Sequence, residues 1–131
     1  MAACLLLRQQ QENERRSQLH GHMVRSLSCT IEYQFAALFA GRGPLVVLDQ
    51  ERGKVSQASP NSAKLRLPTI HVHGKRDPGL PLHQELLQRH CAQNTTQLIE
   101  WEGGHRIPIK TKDVTPVITA IQRTGQAKGL T

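Results

Sequence analysis

The run of residues 69–73, Thr-Ile-His-Val-His, constrains the fold of this chain more than any other segment. Its β-branched residues favour an extended backbone, and Gly74 stops the run before the turn-forming sequence Asp77-Pro78-Gly79. A short run of this kind, bounded by turn residues, is typical of a buried strand in a parallel sheet. We therefore expect a strand over residues 69–73, with polar side chains following at its carboxyl end.

Two further strands are predicted on similar grounds. Residues 33–40 form an apolar run that closes at Gly41-Arg42-Gly43-Pro44, which suits a buried parallel strand ending in a loop. Residues 97–102 form the third strand, which ends in Gly103-Gly104-His105. Residues 48–68 turn to Gln, Ser, Asn, Lys and Pro without a period, and residues 17–32 also lack one, so we expect both segments to be loops.

Three helices are predicted. Residues 2–18 are rich in Ala, Leu, Arg, Gln and Glu and lack Gly and Pro. Their apolar residues occupy the first two turns, so the start should be buried and the end should project into water. Two later segments have apolar residues at helical spacing, which predicts amphipathic helices. These residues are Leu82, Leu86, Leu87 and Cys91 in the first segment and Val114, Val117, Ile118 and Ile121 in the second.

The order of these elements indicates an α/β fold, with a parallel sheet flanked by helices. The 131 residues suffice for one ordinary domain but not for two well-packed ones, so we expect one domain or a piece of one. Hydrophobic residues make up 37% of the chain and aromatic residues only 3%, so the core must consist of Leu, Ile, Val and Ala.

The composition of the chain also argues against some kinds of binding partner. No stretch approaches the roughly 20 apolar residues of a membrane-spanning helix, and the apolar start lacks the features of a signal peptide, so we expect a cytoplasmic protein with no membrane partner. The formal charge is +7, but the basic residues are scattered and aromatic residues for base stacking are few, so we expect no nucleic-acid partner. Cys4, Cys29 and Cys91 fit neither a disulfide framework nor a zinc pattern and are expected to be reduced thiols without a role.

Asp77 and His105 are the candidate catalytic residues, because each follows the carboxyl end of a predicted strand, where catalytic groups of α/β sheets gather. A hydrolase triad uses a carboxylate to orient a histidine, which takes the proton of a nucleophilic hydroxyl. The α/β-hydrolase order is nucleophile, acid, histidine, and Asp77 before His105 obeys it. Spacing alone leaves open the alternative that Asp77 caps a turn beside Pro78 and that His105 is an exposed loop residue.

Three stretches of the sequence resemble fungal serine hydrolases of the FSH type, in the α/β-hydrolase superfamily. Residues 68–77 are similar to the family's P-x-x-H-x-x-G-x-x-D region, and residues 103–108 are similar to its G-G-H-x-x-P ending. Residues 35–44 resemble the strand and loop that follow the family's nucleophile helix. The resemblance implies a partial α/β-hydrolase fold without the N-terminal strands, in which residues 1–131 form the C-terminal portion of a single serine-hydrolase domain.

The resemblance also implies an activity, namely hydrolysis of esters or thioesters with Asp77 as the orienting acid, His105 as the general base and no cofactor or metal. The implied substrate is a small-molecule or carrier-bound acyl ester or thioester. Several fungal relatives of this type release polyketide chains from their synthases. The resemblance therefore implies a place in polyketide and secondary-metabolite biosynthesis, with a polyketide synthase as a partner.

The family's G-x-S-x-G nucleophile elbow does not occur in this sequence, where nothing precedes Met1, although residues 1–7 resemble the helix that follows the elbow. No serine lies in a comparable context; the six are Ser17, Ser26, Ser28, Ser56, Ser59 and Ser62. We therefore expect a truncated gene product, a mis-started gene model, or a remnant that needs a partner to cover the bare edge of its sheet. The alternative is a catalytically inactive binding or accessory protein on the same scaffold.

A metal site is the rival interpretation of the histidines. His71 and His73 lie two residues apart on a predicted strand and so point to the same face. With Asp77 and His105 they would form a mixed histidine and carboxylate set. The remaining histidines fit no constellation and are expected to be exposed; they are His20, His22, His83 and His90.

Overall fold

The computed structural model describes residues 2–18, 31–49, 54–57 and 64–130, and within these ranges it contains three α-helices and five strands. A π-helical turn, Leu86–His90, continues the second helix directly. In chain order the elements are α1 (Ala2–Gln18), β1 (Ala36–Phe39), β2 (Val46–Asp49), β3 (Lys54–Gln57), β4 (Thr69–Gly74), α2 (Leu80–Glu85), β5 (Thr96–Trp101) and α3 (Thr111–Ala127).

Strands β1, β4 and β5 form one parallel sheet with β4 in the middle. All six residues of β4 are buried, as expected for a central strand that is covered on both faces. The predicted α/β fold, a parallel sheet flanked by helices, is thereby confirmed. Thr69 pairs with Thr96 at one end of β4 and Gly74 pairs with Trp101 at the other. The two strands therefore end at the same level, and the loops that follow them lie side by side.

Two apolar clusters cover the two faces of the sheet. One joins α1 and the π-helical turn to the face that carries Leu38, and the other joins α3 to the face that carries Ile70 and Val72. Side chains alternate along a strand, so Ala37 packs with the second cluster although it is next to Leu38. Removal of these apolar side chains from water stabilises the three layers, helix on sheet on helix.

Helix α1 follows the prediction. Its buried apolar residues Ala3, Leu6 and Leu7 lie in the first two turns, whereas residues 15–18 are exposed. The side-chain amide of buried Gln10 donates to the carbonyl of Lys64 at 2.9 Å and accepts from the backbone N–H of Arg66 at 2.6 Å. These bonds hold the helix against the segment that leads into β4. Of the loop predicted over residues 17–32, residues 17 and 18 belong to α1, and residues 19–30 lie outside the described ranges.

Helix α3 is longer than the segment 114–121 that its apolar period predicted. Its buried residues include Val117, Ala120 and Thr124, which are spaced by three and four residues and face the sheet. Ile118 is 48% exposed, so its place in the predicted stripe is wrong. The helix extends to Ala127 through polar residues, which carry no periodic signal.

The predicted apolar stripe of α2 and the π-helical turn is only partly correct; it comprised Leu82, Leu86, Leu87 and Cys91. Leu82 is 39% exposed, while the other three are buried. The segment widens from α-helix to π-helix after Glu85, and residues spaced for one regular helix then no longer share a face. The prediction that His83 and His90 are exposed is also wrong, since their exposed fractions are 0% and 4%. His20 and His22 lie outside the described residues.

The segment 48–68, predicted to be a loop, contains regular structure. Strands β2 and β3 pair antiparallel as a separate two-stranded sheet, from Val46 with Gln57 to Asp49 with Lys54. Each strand has four residues, which is too short for a polar and apolar alternation to be detected in the sequence. The loop prediction is therefore wrong for these residues.

Strand β1 is shorter and less buried than the predicted run 33–40. Leu38 is its buried residue, and Phe39 is 37% exposed. Ala40 follows with a φ of 50°, in the left-handed region that a strand does not use, and so ends the element. Within the described part of the chain β1 pairs on one side only, with β4.

Two predictions from composition concern thiols and membranes. Cys4 and Cys91 are both free, and Cys29 lies outside the described residues. Among the helices that the structure describes, none combines the length and the apolar character needed to cross a bilayer.

Candidate active site

The loop after β4 fixes the carboxylate of Asp77. The backbone N–H of Asp77 donates to the carbonyl of Gly74 at 3.0 Å, which closes a tight turn at the strand end. Its side-chain Oδ1 accepts from the backbone N–H of Gly79 at 2.7 Å, a local bond typical of aspartate in turns. Asp77 is only 5% exposed, so the carboxylate is held in place inside the protein.

The loop after β5 carries His105 and packs closely on the first loop. The backbone N–H of Lys75 donates to the carbonyl of Trp101 at 3.0 Å. A Cβ atom at Gly74 would overlap the carbonyl oxygens of Gly103 and Gly104, so only glycine permits this approach. The two loops are thereby held at a fixed distance.

Asp77 and His105 form a direct hydrogen bond, with 2.8 Å between Oδ2 of Asp77 and Nδ1 of His105. The side chain of Asp77 is 2% exposed and that of His105 is 57% exposed, so the pair reaches from the interior to solvent. Because an ionised carboxylate only accepts hydrogen bonds, Nδ1 of His105 is the donor. The other ring nitrogen, Nε2, is then free of a proton in the neutral ring and can accept one.

The surroundings of Asp77 favour its ionised form. Burial raises the pKa of Asp77, but the hydrogen bonds from the backbone of Gly79 and the ring of His105 outweigh burial and hold the pKa below its usual value. At neutral pH the carboxylate is therefore charged, as the orientation of a histidine requires.

His83 is a third group at this site, and sequence reasoning missed it. Its Nε2 lies 3.7 Å from Oδ2 of Asp77, and its ring centroid lies 6.2 Å from that of His105. Pro81 marks the first turn of α2 in the sequence, but the position of His83 beside the carboxylate depends on how this helix packs. Burial lowers the pKa of His83 despite the opposing charge of Asp77, so the ring is neutral.

Four imidazoles follow one another from the sheet to the surface. The ring centroids of His71 and His73 are 6.0 Å apart, and those of His73 and His83 are 5.5 Å apart. Burial, with a contribution from His73, lowers the pKa of His71 to about 4, and Nε2 of His71 lies 3.0 Å from Oγ1 of Thr69. Burial is the main cause that lowers the pKa of His73, and the nearby His83 lowers it further. These neutral rings are packed within the sheet and under α2.

The rival metal set of His71, His73, Asp77 and His105 does not assemble. Within the described ranges, the group whose potential ligand atoms all lie within 4.8 Å of one another is Asp77, His83 and His105. His71 and His73 share one face of β4, as predicted, but neither belongs to that group.

A comparison with protein families settles the lineage. A family model described as serine hydrolase (FSH1) matches residues 1–117 of the chain. The chain belongs to the FSH1 serine hydrolase family. The resemblance that the sequence motifs predicted is therefore confirmed.

Three relatives of this FSH1 chain are fungal proteins. The chain is 52% identical over 99 residues to the probable esterase azaC of Aspergillus niger, a match that covers 76% of this chain and 36% of that protein. It is 46% identical over 122 residues to a probable esterase of Aspergillus terreus, with 93% and 46% covered. It is 44% identical over 120 residues to the esterase dbaE of Emericella nidulans, with 75% and 43% covered. The chain thus spans less than half the length of these three relatives, and no solved structure matches it.

Two clefts among the described residues of the FSH1 chain lie along α1. The first, of 290 Å³, is lined in part by Arg8 and Tyr33, and the second, of 470 Å³, is lined in part by Gln10. Neither Asp77 nor His105 is among the described residues that line these two clefts. The candidate site therefore consists of an oriented pair of a carboxylate and an imidazole, and the histidine side of this pair is open to solvent.

Proposed function

We propose that residues 1–131 are the C-terminal portion of a single serine-hydrolase domain, in which Asp77 is the orienting acid and His105 is the general base of an ester or thioester hydrolase. The observation that carries this proposal is the 2.8 Å hydrogen bond between Asp77 and His105 beyond the ends of two paired parallel strands. Catalytic groups of α/β sheets gather at this edge, and a triad needs this bond to set the tautomer of the histidine.

In the proposed reaction, Nε2 of His105 takes the proton of a serine hydroxyl as its oxygen attacks the acyl carbon of the substrate. The resulting imidazolium is stabilised by the carboxylate of Asp77. His105 then gives this proton to the departing alcohol or thiol, which leaves an acyl-enzyme. Water repeats the sequence, with His105 again taking and returning one proton, and releases the acid.

The serine is proposed to come from polypeptide outside these 131 residues. The sequence contains no G-x-S-x-G, and the relatives at 44–52% identity are more than twice as long as the segments that match this chain. The hydrolytic activity is therefore proposed for a protein that contains both parts, not for this segment alone.

The proposed substrates are small-molecule esters, in line with the word esterase in the names of the three relatives. Thioesters on a carrier protein, and a polyketide synthase as their source, are the finer proposal, which rests on the resemblance to polyketide-releasing members of the family. The exposed side of His105 is where such an acyl group would meet the base.

The coding sequence upstream of Met1 provides the test. We expect an in-frame G-x-S-x-G there, and the polypeptide that includes it should hydrolyse a simple aryl ester. In that polypeptide His105→Gln should abolish the activity, because no base would take the serine proton. Arg106→Gln is the matched control, since Arg106 is the exposed neighbour in the same loop. Hydrolysis that persists in the His105 variant would overturn the proposed role.

A further inference from the structure

The ring of His83 is buried without a hydrogen-bond partner. Its exposed fraction is 0%, and neither Nδ1 nor Nε2 bonds to another group among the described residues. Buried polar groups are normally paired, because leaving one unpaired destabilises the folded state. The proposed hydrolytic reaction makes no use of this ring. Its Nε2 nevertheless lies 3.7 Å from Oδ2 of Asp77.

We propose that Asp77, His83 and His105 form a binding site for a divalent transition-metal ion of the Zn²⁺ type. One ligand atom from each residue lies within 4.8 Å of the other two. Two imidazole nitrogens and one carboxylate oxygen are a donor set that Zn²⁺ accepts, with a fourth position left for water.

The distances between the ligand atoms need only a small adjustment of the side chains to suit a tetrahedral zinc ion. Zn–N and Zn–O bonds of about 2.0–2.2 Å place tetrahedral ligand atoms about 3.4 Å apart. The separation of Asp77 Oδ2 and His83 Nε2 is 3.7 Å, close to this value, and that of Asp77 Oδ2 and His105 Nδ1 is 2.8 Å. The metal therefore replaces the hydrogen bond between Asp77 and His105 and moves the exposed His105 ring outward by a fraction of an ångström.

Gly79 and the guanidinium group of Arg42 lie beside Asp77 and His83. A Cβ atom at Gly79 would stand 3.2 Å from Oδ1 of Asp77 and 3.2 Å from Nε2 of His83, so the glycine keeps this side of the pair uncrowded. The same position would be 3.1 Å from the guanidinium group of Arg42, a like charge that opposes a divalent cation. Arg42 is exposed, so its charge is partly screened by solvent.

Metal binding at this site excludes the proposed hydrolytic role while it lasts. A neutral imidazole that binds metal through Nδ1 carries its proton on Nε2, and His105 then cannot take a proton from a serine. The ion is thus a reversible inhibitor of the proposed function. Binding itself does not depend on that function, because it needs only the three side chains of this chain.

Calorimetric titration of the 131-residue chain with Zn²⁺ tests the site without any assay of hydrolysis. We expect one ion per chain, and affinity at least about tenfold lower in His83→Gln and in His105→Gln, since even losing a residue that supports a ligand costs that much. His90→Gln is the matched control, because His90 is also buried but lies outside the cluster. Equal affinity of the wild type and both ligand variants would overturn the site.

Three further measurements keep the test decisive if His83→Gln fails to fold. Titration of the wild-type chain with Co²⁺ should produce the visible absorption bands of a four-coordinate ion, and the NMR signals of His83 and His105 should shift while those of His90 do not. Arg42→Gln should tighten Zn²⁺ binding by removing the opposing charge. Perturbation of His90 instead of His83, or weaker binding in Arg42→Gln, would count against the assignment.

Discussion

The backbone N–H of Arg76 donates a hydrogen bond of 2.9 Å to the carbonyl oxygen of Gly103 and so joins the loop of Asp77 to the loop of His105. The guanidinium group of Arg76 also donates to the carbonyl of Glu102 at 2.5 Å. An ion pair of 2.8 Å between Lys75 and Glu102 adds a contact at the surface. The geometry of the candidate site is therefore a property of both loops together.

Gly74→Ala should separate these loops. The added Cβ would overlap the carbonyl oxygens of Gly103 and Gly104, and overpacking of this kind costs about 1–3 kcal/mol. Urea denaturation should show this loss in the free energy of unfolding. Gly104→Ala is the control, because its Cβ would meet nothing closer than the Arg76 carbonyl oxygen at 3.8 Å. Equal stability of the two variants would show that the close approach at Gly74 is unimportant.

The hydrogen bond from His105 to Asp77 predicts one tautomer. Because Oδ2 of the ionised carboxylate can only accept, neutral His105 should carry its proton on Nδ1. Two-dimensional ¹⁵N NMR of the imidazole distinguishes the two tautomers directly. Asp77→Asn should disturb this preference and, in a polypeptide that contains the nucleophile, should lower kcat about 10⁴-fold as in other triads. A proton on Nε2 in the wild type would contradict the bond.

The stability of the fold should fall as the pH falls below neutrality. Burial holds the pKa of His71 at about 4 in the folded chain, against 6.5 when the ring is in water. Between these values the unfolded chain binds the extra proton, so the free energy of unfolding decreases from pH 6.5 towards pH 4, by about 3 kcal/mol for this residue. Urea midpoints measured across this range should show the slope. His71→Gln should reduce this slope, because the other buried histidines still contribute to it, and an unchanged slope in that variant would refute the assignment.

The contribution of helix α1 to the stability of the fold should come mainly from its packing on the sheet. Leu6 is 2% exposed and lies in the cluster with Leu38, so Leu6→Ala should cost about 2–5 kcal/mol of unfolding free energy. Leu5 is 46% exposed on the same helix, and Leu5→Ala should change stability by no more than about 0.5 kcal/mol. Chemical denaturation of the two variants provides the comparison, and similar losses would mean that α1 does not pack as described.

The two described thiols should differ in reactivity. Burial raises the pKa of Cys91 to about 11, and the residue is 0% exposed, whereas Cys4 is partly exposed. The thiolate is the reactive form, so iodoacetamide at a pH of about 8 should modify Cys4 before Cys91 in the folded chain. Peptide mapping by mass spectrometry measures the rate at which each of the two thiols is modified. Equal rates in the folded chain, becoming no faster in urea, would contradict the burial of Cys91.

The central strand and the two long helices could be predicted because their signals are local. Residues 69–73 combine β-branched residues with a glycine stop, and the period at Val114, Val117 and Ile121 marks one helical face. The hairpin of β2 and β3 could not be predicted, since four-residue strands carry too few residues to show an alternation. The position of Asp77 and His105 side by side followed from the strand ends, whereas the burial of His83 depends on how α2 turns back over the loop.

The bonds between the loops of Asp77 and His105 have a consequence for anyone who moves this pair to another scaffold. The backbone N–H groups of Lys75 and Arg76 donate to carbonyls of residues 101–105, and Gly74 packs on the same residues, so a graft of either stretch alone would lose these supports. The transplantable unit comprises both stretches with the ends of β4 and β5 that space them.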